Sequence, residues 1–445
     1  MARNRHRGWV ETFEPDQLVV ALPDLPAVLQ ALGALDVSWE GIEQNEDLGM
    51  ALVSGLKDLP AAVRRLREDD DGFTRQELGH FEAERTRALP HAKPHADLDL
   101  LIKGIRARFA RQFPGWDVTI GKNYGPSLVK GYPHIAGGGN GDPQAVNDAL
   151  SPPVCEHDHY QRRGRGVRVG LLDTRIFPAE RLTGHYIATT PGDLLGPEEL
   201  SYTMFDGHCA FVASCILQQA PAAELYVRSV LDEDGDGSAW HAAIAVAEFA
   251  RLGLDVVNLS FGEFLTDDNS APMVLEAAVK RLGPETVVVA AAGNNGDPKE
   301  LTEELVREGV KPNSASYPAA LPDVVGVGAL GQDGQRAAFT PNPAPWIALL
   351  APGVDIIGSY LRGKVMIQHR DKDGDPIGEP RAEQFNGKAR WEGCSFAAGV
   401  VTGEIAARTR PGRRSAPQAL NQLLNPDPGR PCPRIVPNPD NRTYR

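Results

Sequence analysis

The sequence predicts an α/β protein: a three-layer α/β/α domain on a mostly parallel sheet, with a small α/β unit in front of it. Three observations carry this. From Gly166 onward, short runs rich in Val, Leu and Ala ("GVRVGLLDT", "ELYVRSVL", "LDVVNLSFG", "TVVVAAAGN", "VVGVGAL") are interspersed with helical stretches ("CAFVASCILQQA", "AWHAAIAVAEFARLG", "PMVLEAAVKRLG"). Strands that are apolar on both faces belong to a parallel sheet covered by helices on both sides. Residues from about 16 to 70 repeat the strand–helix pattern on a smaller scale. The chain has 445 residues, 42 % of them apolar, enough for one large domain plus an appendage.

Taken in order, "QLVVAL" reads as a strand and "LPAVLQALGAL" as a helix whose face is Leu25, Val28, Leu29 and Leu32. A further strand falls around "VSWEGIEQ", then come the strand "LGMALVSGL" and the helix "LPAAVRRLRE". The acidic run Glu68 to Asp71 followed by Gly72 marks a boundary, so residues 1–72 form the N-terminal unit. Residues 73–153 hold one helix, with Leu98, Leu101, Ile102, Ile105 and Phe109 on one face, ended by Pro114 and Gly115. From about Gly115 to Pro153 the chain is a Gly/Pro-rich connector around "AGGGNGDP", with room for one short hairpin. Residues 154–425 form the large domain and 426–445 a tail.

Composition narrows the function classes. The formal net charge of −13 argues against nucleic acid as the main partner, because phosphate binding needs a basic face. The five cysteines (155, 209, 215, 394 and 432) form neither a disulfide framework nor a C-x-x-C zinc pair, and read as free thiols in a reducing compartment. The basic start "MARNRHRGWVETF" is not followed by an uninterrupted apolar segment, since Pro23, Asp24 and Pro26 break the nearest one. No apolar run approaches the ~20 residues of a membrane span. A cytoplasmic protein without a membrane partner is expected.

In a parallel sheet the chemistry gathers at the carboxyl ends of the strands. Asp173 ends the first strand of the large domain, in "VGLLDT". His208, in "DGHCAFVAS", and Ser395, in "GCSFAAGVVTG", each open an apolar helix. Alone, each fits a structural role: a turn aspartate, a helix-end histidine, an N-cap serine. Together they supply what acyl transfer needs: a nucleophile, a base to take its proton, and a carboxylate to orient the imidazole. Asp, His, Ser is one of the known chain orders for that set.

From about Gly166 to Arg410 the chain resembles the catalytic domain of the subtilisin-like serine proteases (subtilases, peptidase family S8). The segments that carry the resemblance are "VGLLDT", "DGHCAFVAS", "VVNLSFG", "VVVAAAGNNG", "YPAALPDVVGVGAL", "LLAPGVDI" and "GCSFAAGVVTG", in family order. The resemblance implies a serine endopeptidase with Ser395 as nucleophile, His208 as general base then acid, and Asp173 orienting His208. It makes Asn294, in "AAGNNG", the oxyanion-hole amide, joined by the backbone N–H of Ser395. It implies that Ser260, Phe261 and Gly262 bind extended substrate through their main chain. Ala291, Ala292 and Gly293 would wall the pocket for the residue before the scissile bond, and Ser316 would floor it. The implied partner is a polypeptide substrate; a catalytically silent binding scaffold and a zymogen awaiting a partner are the alternatives.

The chain departs from the family pattern at two places. Cys394 stands where the family often has Thr, and a thiol is the poorer donor. Gly399 stands where the family usually has Pro. The N-terminal unit resembles the β-α-β-β-α propeptides of subtilases in element order only. Intramolecular inhibition and a permanent regulatory role both fit it.

No cofactor is implied. The acidic loops "DEDGDGS" from Asp232 and "DKDGDP" from Asp371 invite a calcium reading, but Ala243 stands where an EF-hand starting at Asp232 needs a carboxylate. Solvated turns fit both loops better, the second as the end of a hairpin between "KVMIQH" and "AEQFNG". "CEHDH", with Cys155, His157 and His159, lacks a fourth ligand nearby and reads as linker; no metal site is assigned.

Overall fold

The computed structural model describes residues 13–68, 72–88, 95–125, 127–128, 141–146, 158–196, 201–264, 272–299, 301, 306, 309–368, 378–426 and 435–441. The first sheet is antiparallel, with strand order β2-β3-β1-β4, where β1 is Phe13–Ala21, β2 Gly41–Asn45, β3 Met50–Ser54 and β4 Ile120–Tyr124. Side chains alternate along these strands as the pleat requires. Leu18, Val20, Ala51 and Val53 point to one face, where α1 (Leu25–Ala34), α2 (Leu59–Glu68) and α4 (Asp97–Gln112) cover them; α3 (Gly72–Ala88) packs on α4. Val19, Met50 and Leu52 point to the other face.

β4 corrects the expected organisation. "TIGKNY" lies in the segment expected as connector, yet it pairs with β1, with Val19 opposite Gly121 and Val20 opposite Ile120. The N-terminal unit therefore runs past the boundary expected at 72, because α4 delivers the chain back to the open edge of its sheet. Asp24 fixes that return: its carboxylate accepts the Thr119 N–H at 2.8 Å and the Trp116 indole N–H at 3.1 Å.

After β5 (Ser127–Leu128), β6 (Gln144–Ala145) and the short helix α5 (Asp158–Gln161), the main sheet begins. Its strand order is β19-β16-β15-β13-β11-β7-β10-β8, with β7 Arg168–Asp173, β8 Tyr186–Ala188, β10 Glu224–Ser229, β11 Val256–Leu259, β13 Val287–Ala291, β15 Val324–Leu330, β16 Ile347–Pro352 and β19 Val436–Pro437. All pairings are parallel except that of β16 with β19. Residues expected as a C-terminal tail thus supply an edge strand. Asn438 secures it by donating to the carbonyls of Ala344 and Ile347 at 3.0 and 2.8 Å.

Alternation divides the core of this sheet. Val169, Leu171, Val287, Val289 and Ala291 face α6 (His208–Gln219), α9 (Cys394–Arg408) and α10 (Ala416–Leu424). Leu172, Val257, Val288 and Ala290 face α7 (Ala239–Phe249) and α8 (Met273–Arg281). This is the three-layer α/β/α arrangement expected. A second antiparallel layer pairs β17 (Ile356–Ile367) with β18 (Arg381–Trp391), flanked by β9 (Tyr202–Thr203) and β6. β17 and β18 are the hairpin read from the sequence; the "DKDGDP" loop between them lies outside the described residues, as do Cys155 and His157.

The two units share one apolar cluster. Val19, Leu48, Met50, Leu52 and Tyr124 pack with Trp240, Ala243 and Val246 of α7 and Val274 and Leu275 of α8. Asn123 adds a polar lock. Its Oδ1 accepts the Trp240 N–H at 3.0 Å, capping α7 from outside, and its Nδ2 donates to Ser238 Oγ at 3.1 Å. A third small sheet has the order β14-β12-β5, with β12 Phe261–Phe264 and β14 Ser316–Tyr317. Among the described residues no helix is long and apolar enough to cross a membrane.

Candidate active site

Asp173 ends β7 and is fully buried. Its Oδ1 accepts the Thr174 N–H at 2.8 Å and faces His208 Nδ1 at 2.8 Å. The imidazole is 3 % exposed and lies edge-on to the Trp391 ring, with centroids 5.6 Å apart. A carboxylate can only accept, so Nδ1 carries the hydrogen and Nε2 presents its lone pair. His208 opens α6 directly after a 3₁₀ turn, Met204–Gly207, which the Asp206 carboxylate closes by accepting the Thr203 N–H at 2.9 Å. Thr174 Oγ1 accepts the Cys209 N–H at 3.3 Å, tying the start of α6 to the end of β7.

Ser395 is the second residue of α9 and is 4 % exposed. The helix starts abruptly because Gly393 has φ 155° and ψ 158°, a backbone region essentially closed to other residues. Its N–H donates to the Gly353 carbonyl at 2.8 Å. The Ser395 hydroxyl donates to the Ser260 carbonyl at 3.2 Å, and the Ser260 hydroxyl donates to the Ser395 carbonyl at 3.1 Å. A buried chain extends this clasp: Thr402 Oγ1 donates to Asn258 Oδ1 at 2.9 Å, and Asn258 Nδ2 to Ser260 Oγ at 2.8 Å.

Asn294 is oriented by the same helix start. The Cys394 N–H lies 3.0 Å from Asn294 Oδ1, and a backbone N–H can only donate. That contact fixes which end of the amide is oxygen, and Nδ2 lies 3.6 Å from where a Cβ on Gly393 would stand. Phe396, the chain neighbour of Ser395, has its ring centroid 5.5 Å from that of His208. The helices carrying them pack together at Gly399, where an added Cβ would stand 3.1 Å from Cys215 Cβ and 3.3 Å from the Val212 carbonyl. Close helix contact is thus what glycine provides at the position where the family usually has proline.

The expected substrate-binding residues divide. Gly262, Gly293 and Ser316 form one notch: a Cβ on Gly262 would collide with Ser316 Oγ, and one on Gly293 would stand 3.5 Å from Ser316 Cβ. Phe261, Ala291 and Ala292 instead bury their side chains in core clusters, leaving only main chain for a substrate. Asp232 Oδ1 accepts the N–H groups of Asp234 and Asp236, both at 3.0 Å, so that acidic loop is a self-bonded turn. Among the described residues no group of three His, Cys, Asp or Glu side chains is arranged to hold a metal ion.

The two cysteines beside the site are neutral. Burial pushes the Cys394 thiol up to about 11, and burial with the nearby Asp173 carboxylate pushes Cys209 well above its ordinary value. Glu392, just ahead of Gly393, is pushed up to about 7 by burial and by Asp355. Nothing in the residue pattern singles out Glu392 or Glu263, because only their burial distinguishes them from surface acids.

A family model described as the subtilase family matches residues 164–424. The chain is 33 % identical over 211 residues to a thermostable alkaline protease of Halalkalibacterium halodurans, covering 44 % of this chain and 50 % of that one. It is 28 % identical over 237 residues to an intracellular serine protease of Paenibacillus polymyxa, covering 50 % and 66 %. It thus spans only half to two thirds of these relatives. Among solved structures, fervidolysin from Fervidobacterium pennivorans, described as a keratinolytic enzyme related to subtilisin, superposes with a TM-score of 0.55 at 15 % identity, covering 95 % of this chain and 57 % of that one. That likeness bears on the fold, which is subtilisin-like. With its family model spanning more than half of the sequence, the chain belongs to the subtilase family.

Proposed function

We propose that this chain is a serine endopeptidase that cleaves peptide bonds through an acyl-enzyme intermediate, with Asp173, His208 and Ser395 as its triad and Asn294 in the oxyanion hole. The observation that carries this is the 2.8 Å contact between His208 Nδ1 and a fully buried Asp173, which leaves Nε2 as a base at the start of the helix packed against that of Ser395. In the reaction Ser395 Oγ gives its proton to Nε2 and attacks the substrate carbonyl. The oxyanion receives hydrogen bonds from Asn294 Nδ2 and the Ser395 N–H. Nε2 then protonates the leaving amine, and water repeats the sequence to release the acid. Asp173 stabilises the transient imidazolium without taking its proton.

The first step requires the Ser395 hydroxyl to leave the Ser260 carbonyl for His208 Nε2. Covalent labelling with a fluorophosphonate tests the assignment. Wild type takes the label and Ser395→Ala does not; equal labelling of both proteins overturns it, and so does absence of labelling in wild type at any stage of maturation.

A second reading concerns the N-terminal unit, as an intramolecular inhibitor. β5 pairs antiparallel with β12, with Ser127 opposite Gly262 and Leu128 opposite Phe261, on the edge where substrate main chain would bind. The apolar contact on α7 and α8 supports the unit's grip. Mass spectrometry of purified chain before and after activity appears checks it. Cleavage within the connector that accompanies the rise in activity is the expected result, and an intact N-terminus at full activity overturns it.

A further inference from the structure

Residues expected as connector reach the site at a second place. β6 adds an antiparallel edge to β18, with Ala145 opposite Ala389 and Gln144 opposite Arg390. On either side of β6, Pro143 and Val146 are buried, and Asn386 Nδ2 donates to the Val146 carbonyl at 3.4 Å. Just ahead, the Gly141 carbonyl accepts the Trp391 indole N–H at 2.7 Å. Trp391 is 5 % exposed, and its ring packs on Phe211, Tyr360 and Phe396 as well as on His208. A main-chain carbonyl from outside the expected catalytic domain thus holds the polar end of the ring that walls the imidazole.

The two short strands that the connector supplies differ in standing. β5 lies on β12, the edge where substrate main chain would bind, so turnover requires it to leave. β6 lies on β18 instead. Its departure would take the acceptor from a buried indole N–H, uncover the sites of Pro143 and Val146, and open the edge of β18. An indole N–H only donates, and the Phe211 and Phe396 rings packed on it hold no oxygen that could replace the carbonyl.

On the reading that His208 and Ser395 are base and nucleophile, we propose that residues 141–146 are a permanent strand of the catalytic unit, and that the Gly141 carbonyl makes Trp391 a positioning residue for the His208 imidazole. A maturation cut then falls before Gly141, and the strand stays on β18 after β5 has gone. Trp391 acts through His208. With its N–H held, the ring keeps one wall of the imidazole in place and Nε2 aligned for proton transfer. With the N–H released, the ring tilts and that alignment is held a smaller fraction of the time. The loss belongs to the chemical step, so it falls on kcat and not on KM.

The full-length chain, brought to steady turnover on a peptide amide, is compared with Trp391→Phe, which keeps an aromatic ring but not the N–H, with Val146→Ala, which loosens the strand without touching Trp391, and with the double variant. Trp391→Phe is expected to lose about tenfold in kcat with KM steady, less than the ~10²-fold of an ångström-scale misplacement. Val146→Ala loses about threefold, and the double variant about tenfold, because both changes act through one contact. Losses that multiply in the double variant, or a Trp391→Phe chain with wild-type kcat, overturn the positioning role. A second measurement needs no variant, so a folding defect cannot mask the result. In active wild-type protein carrying the fluorophosphonate label, residues 141–146 remain and their amides resist hydrogen exchange. Labelled, active protein that begins after Val146, or that exchanges these amides freely, overturns the permanent strand and leaves the protease reading standing. A wild-type chain that cleaves no peptide and takes no label sinks both.

Discussion

The two halves of the site are built differently. In the acid–base half, Asp173 and His208 are locked by a buried 2.8 Å contact, a main-chain N–H on the carboxylate, and an aromatic wall behind the imidazole. In the nucleophile half, the scaffold is just as fixed, but the reacting hydroxyl is parked on the Ser260 carbonyl. The difference teaches which part of the chemistry is preset. On the proposed roles, His208 already has the tautomer that a base needs, whereas the Ser395 hydroxyl must leave the Ser260 carbonyl before it reacts.

Breaking the nucleophile half has the largest expected effect. Ser395→Ala removes the attacking atom and lowers kcat on the order of 10⁶-fold, measured on a peptide amide. Asp173→Asn keeps the shape of the acid–base half but donates where it should accept, which favours the wrong imidazole tautomer; a loss of about 10⁴-fold in kcat is expected. Equal losses in both variants would mean that the halves act as one unit. Next comes Asn294→Ala, which removes one oxyanion donor and lowers kcat about 10²- to 10³-fold with little change in KM. A rise in KM instead would show that Asn294 binds ground-state substrate.

Much of this was legible in the sequence because the parallel strands are buried on both faces. β7, β11, β13 and β15 are buried almost throughout and rich in Val, Leu, Ala and Gly, and Asp173 stands out as the charge that ends one of them. His208 opens α6 and Ser395 follows Cys394 at the start of α9; both helices are buried nearly all round, so a polar residue in the first turn is conspicuous. What the sequence pattern does not show depends on long-range partners. β4 reads as part of a Gly/Pro-rich connector because "IGKNY" has a weak apolar pattern, and it becomes a strand by filling the edge of β1. β19 is a two-residue strand among prolines, held by Asn438 rather than by its own composition. Phe261 reads as a substrate contact from its motif, but alternation along β12 sends its ring into the core and leaves Gly262 at the notch.

The clasp around Ser260 offers a sharper comparison. Its hydroxyl holds the Ser395 carbonyl while its own carbonyl receives the Ser395 hydroxyl. Ser260→Ala removes the first contact, leaves Asn258 Nδ2 without its acceptor, and costs about 1–2 kcal/mol of stability. If the clasp also positions the nucleophile, kcat falls by about tenfold, the same range expressed as a rate, with KM steady. A stability loss with kcat unchanged would reduce the clasp to scaffold, and the nucleophile half would then rest on Gly393 and Asn294 alone.

The smallest expected effect separates the halves by pH. Glu392 lies three residues before Ser395, and its carboxyl is raised from 4.5 to about 7, first by burial and then by the nearby Asp355 carboxylate. The folded chain therefore keeps this proton at pH values where the unfolded chain has lost it. The resulting stabilisation is present below pH 4.5 and is lost as pH rises through about 7. Glu392→Gln is neutral throughout, so the variant should gain stability relative to wild type between those limits and keep a constant advantage above them. Thermal unfolding of both proteins at acid and at slightly alkaline pH checks this. A difference in melting temperature that stays the same at both pH values would show that Glu392 is solvated and that the approach to the nucleophile carries no buried charge.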